Sequence, residues 1–458
     1  MRILILGAGQ VGSTAAVSLS REEANEVTIV DRDPRVLRDL QDRLDVRTVV
    51  GFASHPEVLE RAGCADADIL VALTDSDEVN MVACQIAYTL FHTPTRIARI
   101  RASEYLRRDE LFAPDAVALD VRISPEQLVT DHIEQLVRYP GALQVLDFAN
   151  GRVRLVGARA HQGGLLIDRP LRELPEHMPD TEARVVAIYR DGESLIPDGD
   201  TVIREDDEVF FIAGRRDVRA VMSEMRKLDD PVRRVVIAGG GNIGFRLALA
   251  LERSHQVKLI EREPERARRI SEHLERTIVL NGDAADEELL LEESVDTTDV
   301  FCAVTNADEA NILSAMLAKR LGARRVIALV NRPSYAELIQ AGTIDIAISP
   351  QQVTLGSLLA HVRRGDVVKV HSLRRGAAEA IEAIAHGDRD SSQVVGRAVE
   401  AIPLPPGATI SAIVRGEKIM SAHHDTVIEA EDHVILFLSD RRYIDAVERL
   451  FQVGVTFV

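Results

Sequence analysis

A six-residue glycine pattern occurs twice in this chain, as Gly7-Ala8-Gly9-Gln10-Val11-Gly12 and as Gly239-Gly240-Gly241-Asn242-Ile243-Gly244, each directly after an apolar, strand-like run. The copies lie 232 residues apart, and later landmarks repeat at nearly that offset. Asp31, closing Val27 to Asp31, returns as Glu261, closing Val257 to Glu261, with Arg32 and Arg262 following. Thr74-Asp75-Ser76-Asp77-Glu78-Val79-Asn80 returns as Thr305-Asn306-Ala307-Asp308-Glu309-Ala310-Asn311, and Ala98 to Tyr105 as Ala328 to Tyr335. Asp200-Thr201-Val202-Ile203 and Asp207 return as Asp425-Thr426-Val427-Ile428 and Asp432. A repeat of this length restricts the fold to one two-part unit built twice in tandem.

With 458 residues, and about 100 to 200 residues per domain, the chain has room for three or four domains, which suits two copies of a larger and a smaller lobe. Its 73 acidic against 55 basic residues give a formal charge of −18. That balance argues against wrapping nucleic acid or adhering to anionic lipid, so any attachment to a membrane is expected to run through protein. No window approaches the roughly 18 to 20 apolar residues of a spanning helix, and the first strand begins without a signal-peptide pattern. The expectation is a soluble, cytoplasmic protein without direct lipid insertion. Cys64, Cys84 and Cys302 are scattered, without zinc or disulfide spacing, and read as core or near-surface thiols.

Strand-like and helical stretches alternate from Met1 to about Tyr139, with strands at Ile3 to Leu6, Val27 to Val30, Val46 to Val50, Ile69 to Leu73, Ile97 to Ile100 and Val117 to Ile123. The same order recurs from Arg234 to about Val362. Both stretches read as Rossmann-like, doubly wound parallel sheets of the α/β class. Each is followed by shorter strands and turns, such as Leu195 to Asp200 and Val209 to Gly214, which read as a small α+β module. The expected domains are therefore 1–139 and 232–362 for the Rossmann-like lobes and 140–228 and 363–458 for the modules. Leu228-Asp229-Asp230-Pro231 is the expected hinge between halves.

Three glycines at this spacing allow a sharp strand-to-helix turn, a backbone that approaches phosphate closely, and tight helix packing. The helix N-terminus that follows favours a diphosphate. Asp31 and Glu261 stand 24 and 22 residues after Gly7 and Gly239, close to the spacing at which a carboxylate accepts adenosine ribose hydroxyls and disfavours a 2′-phosphate. Arg32 and Arg262 are placed to stack on adenine or meet phosphate. Gly51-Phe52 and Gly282-Asp283 follow the third strands, and Thr74-Asp75 and Thr305-Asn306 follow the fourth, where ligands meet strand ends. Arg99 and Arg101 flank the end of the fifth strand, against Leu329 and Asn331 in the second copy. They read either as cations for a phosphate tail in the first lobe or as surface ion pairs. The expected nucleotide sites are thus Gly7 to Gly12, Asp31, Arg32, Gly51, Phe52, Thr74, Asp75, Arg99 and Arg101, and Gly239 to Gly244, Glu261, Arg262, Gly282, Asp283, Thr305 and Asn306.

No matched His or Lys recurs to act as a general acid or base on a nicotinamide, and His132, His161 and the adjacent His423-His424 have no partners at ligand spacing. Neither catalytic nor metal residues are expected. The enzyme alternative is an NAD-dependent oxidoreductase with duplicated cofactor domains.

Gly7 to Gly12, Asp31, Gly51, Ala67 to Thr74, Asp77 to Asn80, Arg96 to Arg101 and Pro197-Asp198-Gly199-Asp200-Thr201 together resemble the TrkA family of bacterial Trk potassium-uptake regulators, which carry two RCK (regulator of potassium conductance) units in tandem. The resemblance spans essentially the whole chain. Departures are Phe52, where the family often has a polar residue, and Ala422-His423-His424-Asp425, where the first module has Pro197-Asp198-Gly199-Asp200. The resemblance implies a non-enzymatic subunit, peripheral on the cytoplasmic face of the inner membrane. Its implied partners are a membrane-embedded potassium-translocating protein and further copies of itself, in a homodimer or homotetrameric ring. NAD(H), ATP or ADP are the implied regulatory ligands.

Overall fold

The computed structural model describes residues 1–22, 25–113, 116–179, 181–332, 334–335, 343–362, 366–373 and 378–453. Pro333, inside the repeated Ala328 to Tyr335 stretch, and the expected module limits 363 and 458 lie outside the described residues.

The first lobe is a six-stranded sheet of β1 (Arg2–Leu6), β2 (Glu26–Asp31), β3 (Arg47–Val50), β4 (Ile69–Ala72), β5 (Thr95–Arg99) and β6 (Val121–Ile123), in the order β3-β2-β1-β4-β5-β6. Every pairing in it is parallel. Central strands covered by helices on both faces need continuous apolar runs, and Ile3 to Leu6 and Ile69 to Ala72 are buried throughout. The order reverses between β1 and β4, the position where open α/β sheets leave a ligand crevice at the strand C-termini. The expected strand Val117 to Ile123 is shorter than its apolar pattern. Ahead of β6, the Ala118 carbonyl accepts from Arg96 Nε, its N–H donates to Gln85, and Asp120 pairs with Arg96 at 2.7 Å. These side-chain contacts occupy backbone groups that a longer ladder would use.

A five-stranded antiparallel module follows, made of β7 (Ala142–Phe148), β8 (Val153–Arg159), β9 (Ala183–Arg190), β10 (Glu193–Leu195) and β11 (Glu208–Gly214), in the order β10-β9-β11-β8-β7. The second lobe repeats the first with β12 (Arg234–Ala238), β13 (Gln256–Glu261), β14 (Ile278–Asn281), β15 (Val300–Ala303), β16 (Arg325–Leu329) and β17 (Ile346–Ile348), in the order β14-β13-β12-β15-β16-β17. The second module, with β18 (Val367–Leu373), β19 (Ala378–Ile384), β20 (Ala408–Arg415), β21 (Lys418–Ser421) and β22 (His433–Leu438), has the order β18-β19-β22-β20-β21, the topology of the first. The expected fold class, two Rossmann-like parallel-sheet lobes each with a small α+β module, is the one the chain adopts. Cys64, Cys84 and Cys302 are all buried free thiols, and burial pushes Cys302 up to about 12.

By packing, the chain divides into one unit of residues 1–128 with 351–362 and another of residues 129–350 with 363–458. The division falls inside the helix Pro125–Arg138 that follows the first lobe. Most of the corresponding second helix, Pro350–Val362, groups with the first lobe.

Within the second unit the two modules share one core. Phe148, Leu155, Ala187 and Phe210 of the first pack with Leu373, Ala380, Val414 and Phe437 of the second. Polar contacts border it: Gln144 Nε2 donates to the Ser372 carbonyl at 3.0 Å, the Ala149 N–H to Glu382 at 2.9 Å, and the Ser421 N–H to Glu182 at 2.9 Å. Inside each module the repeated aspartate is a buried anchor. Asp207 holds Arg190 through both oxygens at 2.9 and 2.7 Å, and Asp432 holds Arg415 at 2.8 Å through each.

Candidate functional site

In each lobe the glycine loop leaves the first strand and opens a helix, Gln10–Leu19 or Asn242–Leu251. The outer glycines are fixed by the protein itself. Gly7 has φ +98° and Gly239 φ +108°, which a side chain disfavours. A Cβ on Gly12 would stand 1.9 Å from the Gly7 carbonyl oxygen, and one on Gly244 1.9 Å from that of Gly239.

The middle glycines differ. Gly9 and Gly241 have ordinary φ of −67° and −71°, and a Cβ on either would meet nothing within 4 Å. Neither backbone strain nor packing explains a glycine there, whereas a phosphate approaching the backbone does. Both helix N-termini also lack a side-chain cap, leaving N–H groups directed at the same open space.

The acidic residue at the end of the second strand holds the loop. Asp31 accepts from the Ala8 N–H at 2.6 Å and the Asp33 N–H at 2.8 Å; Glu261 accepts from the Gly240 and Glu263 N–H groups at 2.8 Å each. A carboxylate has about four lone-pair sites, so each retains acceptor capacity for a hydroxyl. The extra methylene of Glu261 explains the change from Ala8 to Gly240, because a Cβ on Gly240 would lie 2.9 Å from Glu261 Oε2 and 2.5 Å from Ile270. Glu261 is also buried, with Arg266 Nη1 3.7 Å from it.

At the third strands, Gly51 and Gly282 make room for Val58 and Leu289, whose methyl groups a Cβ would meet at 2.6 Å. Phe52 is 54% exposed and stacks on His55 with ring centroids 5.3 Å apart. Its counterpart Asp283 instead accepts from the Ala285 N–H at 2.9 Å. The third-strand ends of the two crevices thus differ, one aromatic and one polar.

Thr74 and Thr305 lie against the glycine loops, next to the positions a Cβ on Gly7 or Gly239 would occupy. Each is latched by an asparagine that sequence reasoning left without a role. Asn80 accepts from the Thr74 N–H and hydroxyl at 3.0 and 2.6 Å and donates to the Arg99 carbonyl at 2.9 Å; Asn311 does the same for Thr305 and Leu329. Asp77 accepts from the Arg101 and Ala102 N–H groups, as Asp308 does from Asn331 and Arg332. The recurrence of Asp and Asn in the repeat was the only signal available for this latch. Beside it, the Ser76 hydroxyl, the backbone and Tyr105 hold Glu78 below the usual carboxylate range, and the Glu78 bond pushes Tyr105 up.

The first lobe thus brings its loop, Asp31, Arg32, Thr74, Asp75, Arg99 and Arg101 to one end of the sheet. Arg32 lies 3.5 Å from Asp75, an exposed pair, and Arg101 donates to the Asp75 carbonyl and lies 3.7 Å from Asp77. Arg99 is directed at Glu126, 3.4 Å away. Leu329 and Asn331 give the second lobe no equivalent charges. The described residues hold no group of His, Cys, Asp and Glu suited to a metal ion.

Family comparison matches the TrkA-N domain at residues 3–118 and 235–350 and the TrkA-C domain at residues 155–226 and 389–452. The chain is 62% identical over 457 residues to the Trk system potassium uptake protein TrkA of Halomonas elongata, covering 100% of both chains. Among solved structures it is similar to the GsuK RCK domain, with a TM-score of 0.61 and 18% identity over 98% of this chain and 95% of that one. The GsuK channel bound to NAD gives the same TM-score and identity, over 98% of this chain and 79% of that one.

Proposed function

The chain belongs to the TrkA family of Trk-system potassium uptake proteins, and from that premise we propose that it is a cytoplasmic, nucleotide-sensing regulatory subunit that gates a membrane-embedded potassium-translocating partner. The open space at Gly9 and Gly241 carries this reading, since a ligand backbone contact accounts for both glycines and nothing in the chain does. In each crevice the adenosine ribose is held by Asp31 or Glu261 and the diphosphate by the N–H groups after Gly9 or Gly241. The distal group lies toward Thr74, Asp75, Arg99 and Arg101 in the first lobe, and toward Thr305 and Asn306 in the second. NAD(H), ATP and ADP share the adenosine diphosphate this arrangement recognises, and the NAD-bound GsuK channel of the same fold supports the assignment.

Copies of the chain assemble as a homodimer or a homotetrameric ring against the partner, bound through protein rather than lipid. Bound nucleotide shifts the ring only through its differential affinity for two ring states, tenfold for about 1.4 kcal/mol. The test is potassium flux in vesicles carrying the membrane partner, with NADH, ATP and ADP compared on the wild-type, Asp31→Ala and Glu261→Ala chains. Nucleotide-dependent flux that is blunted by each substitution supports the reading. Flux indifferent to all three nucleotides overturns it.

A further inference from the structure

A carboxamide offers one oxygen with two lone pairs and two N–H donors, and the latching asparagine of each lobe uses all four. Asn80 Oδ1 accepts from the Thr74 N–H and hydroxyl, while its Nδ2 donates to the Arg99 carbonyl at 2.9 Å and to that of Thr74 at 3.4 Å. Asn311 repeats the set, donating to the Leu329 and Thr305 carbonyls at 3.0 Å each. Both side chains are completely buried, so neither is placed to meet a ligand directly.

The set begins where the sheet gives out. The Leu73 N–H still donates across to the Leu6 carbonyl of β1 at 2.7 Å, but the next N–H, of Thr74, goes to Asn80. Val304 and Thr305 divide in the same way, one donating to Ala238 at 2.9 Å and the other to Asn311. Thr74 nonetheless lies against the glycine loop: a Cβ on Gly7 would meet its Cα at 3.0 Å, and one on Gly239 would meet that of Thr305 at 3.1 Å. The asparagine therefore sets this wall of the crevice just past the end of the ladder, and a fully satisfied buried network holds such a position rigidly.

Helix capping does not explain the residue. Ser76 caps the helix Asp77–Phe91 by accepting from the Val79 N–H at 3.3 Å, whereas Ala307, at the start of Asp308–Arg320, supplies no side-chain cap. The asparagine contacts are the same in both lobes. Arg99 and Leu329 enter the set through their carbonyls, which leaves their side chains free to differ. What the lobes share at this point is the glycine loop and the wall beside it.

We propose that Asn80 and Asn311 are positioning residues for the nucleotide: each fixes Thr74 or Thr305 against the glycine loop and so keeps the crevice at the width a diphosphate requires. The proposal rests on the nucleotide-sensing reading and adds to it a pair of residues that act on the ligand only through the wall they hold.

The experiment titrates the full chain with NAD and with ADP by calorimetry, with the second crevice filled by Gly241→Ser so that the first lobe alone reports. Asn80→Asp keeps both acceptors for Thr74 and loses the donors to Arg99; burial favours the protonated form of the new carboxylate, whose O–H restores one donor. The charged groups at this end of the sheet are Asp75, Asp77, Arg99, Arg101 and Glu126. They are common to variant and parent, and comparison at equal pH also removes the ligand's own titration. Asn80→Asp should bind both nucleotides about tenfold more weakly than its parent at about pH 9 and recover toward the parent as pH falls to about 5.5. If that variant does not fold, Asn311→Asp in a Gly9→Ser chain should give the same profile from the second lobe. Affinity equal to the parent's at alkaline pH, even with a lowered unfolding midpoint, reduces the asparagine to a structural role and overturns the proposal, as does a loss that pH does not reverse. Failure of both nucleotides to bind the wild-type chain overturns the sensor reading instead.

Discussion

Seven glycines in two loops serve two different masters, and single substitutions separate them. Gly12→Ala forces a methyl group against the Gly7 carbonyl oxygen and should destabilise the chain by about 1 to 3 kcal/mol, the range for overpacking. Gly9→Ser places a good N-cap residue where the chain leaves open space. Thermal unfolding should show an unchanged or raised midpoint for Gly9→Ser and a lowered one for Gly12→Ala, while nucleotide binding at the first lobe disappears in the former despite its intact fold. The glycine spacing was legible in the sequence because each position is a steric requirement written directly in residue type. The work of Asn80 and Asp77 was not, because their partners Thr74, Arg99, Arg101 and Ala102 converge on them only once β4 and β5 lie side by side. Arg99 and Arg101 show the same limit: their charge was evident, but their engagement with Glu126 and Asp75 depends on tertiary placement.

At the scale of elements, apolar runs and their offsets predicted the strands of both lobes closely, since a doubly covered strand has little freedom in composition. The modules were less legible. Their short antiparallel strands alternate weakly, and the aspartates that repeat at 207 and 432 showed only as a repeated position although they are buried anchors for Arg190 and Arg415. The helix Pro125–Arg138 and strand β18 carry a further consequence for pH. Burial pushes His132 on that helix and His371 on β18 down to about 4. The unfolded chain, titrating near 6.5, takes up these protons first, so their contribution to stability is complete above about pH 6.5 and is lost as pH falls toward 4. Each histidine should contribute a slope of up to about 1.4 kcal/mol per pH unit in that window. Denaturant unfolding between pH 7 and 4 should show a shallower decline in His371→Gln than in the wild-type chain; equal slopes would refute the assignment.

At the scale of the whole molecule, the shared core of the two modules binds the halves of the repeat more firmly than the irregular stretch around Leu228 to Pro231 would imply from sequence. A chain ended near residue 230 uncovers Phe148, Leu155 and Phe210 from their partners. Such a half-chain should self-associate or precipitate, and sedimentation that instead shows a stable monomer would contradict the packing described above.

The same core has a bearing on how the two halves came to differ. Two identical modules meeting across a twofold axis must write every contact twice, so each substitution alters both sides of the interface together. Joined in one chain, they are freed from that bookkeeping. Glu382 receives the Ala149 N–H, yet Gly157, which occupies the matching place on β8, has no side chain to return the bond; Arg184 reaches the Ile410 and Ala422 carbonyls from a position where the other module has Thr409. Within one chain the two sides of the module interface are two surfaces able to drift apart, and the unequal crevices are what a repeat free of symmetry can hold.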